Sequence, residues 1–141
     1  MADPTVELRN RALFLSELSF EEAFELDNIN LSKKIGEFNI IRIGEIFSSR
    51  LYKDPDDNFR SLFSSKLEED HALDFSDYLL QRLGGKNDYS KSKGPPLLPA
   101  RHINVNISID SARRWYGHMQ DTLEELVSFY FFIFIKSMKK N

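Results

Sequence analysis

An all-α domain is what this sequence predicts, on three observations. Apolar residues recur at intervals of three and four in three separate stretches, the spacing that lines one face of a helix. Proline or glycine stands at the end of two of these stretches, where a helix should stop. No convincing strand pattern occurs outside one ambiguous apolar run near residue 130.

Residues 1–25 mix charges with Leu13, Phe14, Leu15, Leu18, Phe20 and Phe24 and predict an N-terminal arm. Over Glu37–Tyr52, Ile40, Ile43, Phe47 and Leu51 make one buried stripe, and Pro55 closes that helix. A turn over 58–63 gathers Phe59, Leu62 and Phe63 on one side. The next helix, 67–83, carries His71, Phe75, Tyr78, Leu79 and Arg82 along one face and ends at Gly84 and Gly85. Residues 86–99 are rich in Ser, Lys, Gly and Pro and predict a loop without regular structure. A loop of that length is usually functional or disordered, and this one leads into Arg101 and His102. Ser108 or Asp110 then caps a helix with Ala112, Trp115, Met119, Leu123 and Leu126 on one face. The run 126–135, LVSFYFFIFI, is followed by Lys136, Lys139 and Lys140. It falls well short of the ~20 apolar residues of a membrane span, so a buried core helix or strand is expected, with no membrane insertion.

A length of 141 residues corresponds to one core. With 19 Lys plus Arg against 22 Asp plus Glu, no strong field draws in an anionic polymer, so nucleic acid is not an expected partner. The absence of cysteine excludes disulfides and thiolate metal sites, leaving His, Met, Tyr or carboxylates as metal ligands. The charged N-terminus has no apolar core of signal-peptide length, so a cytoplasmic location is expected. Of the three histidines, His118 is expected at solvent or a polar edge. His71 shares a face with Phe75, where a lone histidine is more often a satisfied core residue than a ligand. His102 is a loop histidine ahead of a helix. No Ser/His/Asp spacing, phosphate loop or carboxylate pair stands out.

The order of Phe63, LeuGlyGly at 83–85, TyrSer at 89–90, GlyPro at 94–95, ArgHis at 101–102, ArgTrp at 114–115 and HisMetGln at 118–120 resembles the group II truncated haemoglobins. The plant-type members are the most similar, with an arm before a segment like that at 23–31, and the similarity covers about 23–126. Gly84 to His102 is 18 positions and His102 to Trp115 is 13, both as in that family. The resemblance implies a two-over-two arrangement of short helices around one haem b, three of them at 37–52, 67–83 and 110–126. It divides the chain into an arm (1–25), a truncated globin domain (26–126) and a divergent apolar C-terminal segment (127–141). His102 is similar to the proximal iron ligand. Phe63 matches an aromatic packed on the porphyrin, and Tyr89 and Arg101 match propionate contacts, although a solvated loop would also place them there. Trp115 matches a tryptophan whose indole N–H donates toward a bound gas, with core packing the plainer reading.

Several positions depart from the family. Ser48 stands where the family usually has a distal tyrosine. His71 stands at a distal position that more often carries a small residue, and Phe75 matches the next inward turn. His71 could donate to a bound gas or be a sixth, distal ligand to iron, because one imidazole can do either. IleAsnValAsnIle at 103–107 replaces a proline-rich stretch. The family's connecting turn and final long helix are shortened or replaced after Leu126. The activity implied is reversible binding of oxygen, carbon monoxide and nitric oxide by a monomer or homodimer. An enzymatic alternative is nitric oxide dioxygenation or peroxide chemistry with a reductase, for which no residue marks a contact. A non-enzymatic alternative is a globin-derived helical interaction module that has lost haem and binds partners through its aromatic run.

Overall fold

The computed structural model describes residues 10, 17, 19–23, 30–94 and 107–139. Among them the chain is helical, with no strand: α1 (Phe20–Ala23), α2 (Leu31–Ile35), α3 (Glu37–Tyr52), α4 (Asp57–Ser61), α5 (Glu68–Arg82), α6 (Asp88–Lys93) and α7 (Ile109–Met138). Most of the expected arm, and the whole of 95–106 with Arg101 and His102, lie outside the described residues.

The predicted stripe of α3 is the spine of the core. Ile40, Ile43, Phe47 and Leu51 are all buried, each side chain contributing about 1.5–3 kcal/mol by leaving water. Phe47, Leu51 and Phe59 form the central cluster, with Leu62, Phe63, Phe75, Trp115 and Met119 packed around it. At Gly36 the backbone takes φ +89°, a conformation glycine adopts freely, and this lets α2 end and α3 begin at one residue. Gly44 is where α3 and α5 cross. A Cβ built there would stand 2.0 Å from Ser76 Oγ and 3.1 Å from the Ala72 carbonyl oxygen.

Past α3, Asp56 caps α4 by accepting from Phe59 N at 2.9 Å, which seats the buried Phe59 ring. Three acidic residues, Glu68, Glu69 and Asp70, occupy the first turn of α5, where the helix dipole favours negative charge. Its last turn closes by Gly84 N donating to the Gln81 carbonyl and Gly85 N to the Leu80 carbonyl, as the paired glycines predict. Ser32 N donates to the Leu83 carbonyl at 2.8 Å and ties this end to α2.

Three expectations are corrected. The loop expected over 86–99 contains α6, because Tyr89 is buried edge-on against Tyr78 at 5.4 Å. Gln81 also accepts from Ser90 N and donates to Ser90 Oγ, so tertiary anchors override a helix-poor composition. On α7, which Ser108 caps by accepting from Ser111 N, the inward face runs through Trp115, Met119, Thr122 and Leu126. Leu123 is 44% exposed and Ala112 is exposed, because a period of 3.6 moves the face to Thr122 after Met119. The apolar run expected to be buried instead continues α7 to Met138 in water, with Val127 and every residue of 129–134 exposed. Among the described residues, Asn39 and Arg42 of α3 touch it, at Tyr130 and Phe129. No helix among the described residues is long and apolar enough to cross a membrane.

Candidate functional site

α3, α5 and α7, with the turn after α4, bring Phe63, His71, Phe75 and Trp115 into one aromatic cluster. Phe47 lies at its centre, 4.8 Å from the Phe75 ring and 5.0 Å edge-on to Trp115. His71 is walled on three sides: Tyr52 and Phe63 at 5.6 Å meet it edge-to-face, and Phe75 stacks on it at 6.0 Å with 13° between planes. The Tyr52 hydroxyl donates to the Lys66 carbonyl at 2.9 Å and the Phe63 carbonyl at 3.2 Å, holding the turn that carries Phe63. Burial, reinforced by the Lys66 charge, pushes His71 down to about 4 against a weaker opposing pull from Asp74, so its imidazole is neutral at pH 7.

Ser48 Oγ lies 2.8 Å from His71 Nδ1. The hydroxyl is fully buried, and among the described residues Nδ1 is its one acceptor. A buried hydroxyl left without an acceptor is costly, so Ser48 donates, Nδ1 accepts, and the ring proton sits on Nε2. His71 therefore presents an N–H donor on its far side. The smaller residue at the expected tyrosine position supplies no phenol but sets the tautomer of the histidine one helix away. That pairing was not foreseen, since it depends on the crossing of α3 and α5 at Gly44.

Aromatic side chains with neutral nitrogen donors are the chemistry that suits a flat apolar macrocycle such as haem, and Arg101 and His102, expected on its other side, lie outside the described residues. Tyr89, expected at a propionate, is buried between α6 and Tyr78.

A second polar cluster sits beside this one and was not read from the sequence. Asp54 is 2% exposed, and its carboxylate accepts from Arg114 Nε at 2.9 and 2.8 Å and from Asp56 N at 2.8 Å. His118 Nε2 meets it at 2.5 Å. Of the two surroundings expected for His118, the polar edge is the one found. Arg114 first of all, with Asp56 N and His118, holds the Asp54 carboxyl far below the ordinary carboxylate range, against the cost of burial. The four-residue spacing of Arg114 and His118 was the available signal; a buried aspartate between them was not visible locally.

Two comparisons agree with this geometry. The bacterial-like globin family matches residues 30–130. The two-on-two hemoglobin-3 of Arabidopsis thaliana is 36% identical over 120 residues, covering 85% of this chain and 69% of that protein. The group 2 truncated hemoglobin 3-1 of Lotus japonicus is 31% identical over 117 residues, covering 83% and 70%. A group 2 truncated hemoglobin of Bacillus subtilis is 30% identical over 92 residues, covering 65% and 67%. With a family match spanning α2 to residue 130 of α7 and the aromatic cluster in place, the chain belongs to the group II truncated haemoglobins.

Proposed function

We propose that this chain binds one haem b through His102 and reversibly binds oxygen and other diatomic gases on the face lined by His71, Phe75 and Trp115. The neutral His71, held by Ser48 at 2.8 Å through Nδ1 and so left with Nε2 free for a gas ligand, is the observation that carries this reading. Haem would supply the gas-binding iron; the protein's part is to wall it from water and offer donors to a polarised ligand. His71 Nε2–H is one donor and the Trp115 indole N–H a second, each favouring a gas that gains negative charge on binding. Phe63 and Phe75 supply the apolar walls. Arg101 is proposed as a propionate partner on the His102 side.

The test is the visible spectrum of the protein reconstituted with haem, beside His102→Ala, in ferric, ferrous and carbonyl forms. A Soret band at one haem per chain that weakens or shifts in His102→Ala is expected. Absence of stoichiometric binding by the parent would overturn the reading in favour of a globin-derived interaction module.

A further inference from the structure

Between α3 and α5, on the flank away from α7, lies an open groove of about 590 Å³ that the gas-binding reading does not use. The buried Leu80 is at its floor, and the exposed Ile41 and Leu73 add apolar surface to its lining. Its rim is acidic, with Glu45, Glu68, Glu69 and Asp77. Lys86 neutralises the neighbouring Glu37 at 2.8 Å, but these four carboxylates form no ion pair among the described residues. Burial first, and then the like charges of Asp88, Asp74 and Glu37, raise the Asp77 carboxyl above its ordinary range, against a smaller downward pull from Lys86.

The same chain carries the complement. The second half of α7 exposes Val127, Phe129, Phe131, Phe132, Ile133 and Phe134. It continues into Lys136, whose ammonium stands 4.6 Å over the Phe132 ring, and Lys139. One copy cannot satisfy itself. Its own α7 meets α3 through Asn39, Arg42 and Arg50, whereas Glu37 and Ile41 face the groove and Glu45 stands at its edge, lining also a cleft with Arg50 and Glu125. Successive 100° steps put these two sets on different flanks of α3.

We propose that the apolar, lysine-ended second half of α7 docks in the acid-rimmed groove between α3 and α5 of a second copy of this chain. The apolar side chains enter the floor and Lys136 and Lys139 meet the rim. Contact between two different surfaces of identical chains closes into a dimer when the exchange is reciprocal, and otherwise runs head to tail.

Sedimentation velocity on the full chain at low and high salt tests this with two charge reversals at exposed positions, Glu45→Lys with Glu69→Lys in the groove and Lys136→Glu with Lys139→Glu on α7. The parent is expected to associate and to weaken with salt. Each doubly substituted protein alone should be monomeric, and their mixture should associate again, because an acidic α7 then meets a basic groove. Far-UV circular dichroism checks that both keep their helices. A monomeric parent, including one that binds vesicles of anionic lipid instead, overturns the proposal. So does association that survives either reversal, or a mixture that stays monomeric.

Discussion

Ser48 and His71 show how two ordinary residues acquire a defined chemistry from one short contact. With Ser48 donating to Nδ1, Nε2 keeps its proton and is unable to ligate a metal, so the parent protein reconstituted with haem should be five-coordinate in its ferrous form. Ser48→Ala frees Nδ1, lets the proton move there and exposes the Nε2 lone pair, so a six-coordinate ferrous spectrum should appear. His71→Leu should leave coordination unchanged and speed oxygen dissociation about 2- to 10-fold, the worth of one net hydrogen bond; stopped-flow and absorption spectra read both. A spectrum that goes from six- to five-coordinate in His71→Leu would reverse the tautomer assignment. The depressed pKa of His71 also has a stability signature. The unfolded chain takes up a proton near pH 6.5 and the native ring only near 4, so this contribution is full above 6.5 and is lost as pH falls through that window. In urea titrations of the apoprotein, His71→Leu should flatten stability between those two pH values.

At the scale of elements, α3, α5 and the first half of α7 were legible because each buries one stripe, and periodicity reports burial directly. Elements held by tertiary anchors were not. α6 depends on Tyr89 reaching Tyr78 and on Gln81 bonding Ser90, and neither partner is near in sequence. Leu123 was placed inward by extending a four-residue step once too often. Of the site, Phe63, His71, Phe75 and Trp115 were readable as one group through the resemblance, and the structure does bring them together. The Ser48 hydrogen bond was not readable, because it follows from how closely two helices approach. Gly44 sets that approach. Gly44→Ala should improve helix propensity yet lower stability by about 1–3 kcal/mol in chemical denaturation, since the methyl group would overlap Ser76 Oγ. Ser76→Ala should recover part of the loss by removing that oxygen. Full additivity of the two changes would mean that the contact is not the cause.

Across the whole molecule, two clusters divide the labour. The aromatic cluster shapes the candidate site, and the Asp54 cluster fastens the first turns of α7 to the corner after α3, while Glu125 and Tyr130 tie it to α3 further along. Asp54 is ionised in the native state well below its ordinary range. Its contribution is complete above about pH 4 and falls as acid protonates it, giving a second, lower acid transition distinct from that of His71. Asp54→Asn should remove that lower step, which circular dichroism against pH would show. The cluster also bears on time. Asp54 and Arg114 are 60 positions apart, so joining them closes a long chain loop, whereas α3 and α5 pair across a short one. We expect this contact to form after the folding barrier, because the long loop it closes carries the larger entropic cost. Breaking this one should therefore leave the refolding rate of the protein nearly unchanged and shorten the lifetime of its native state, so that Asp54 acts chiefly as a brake on unfolding.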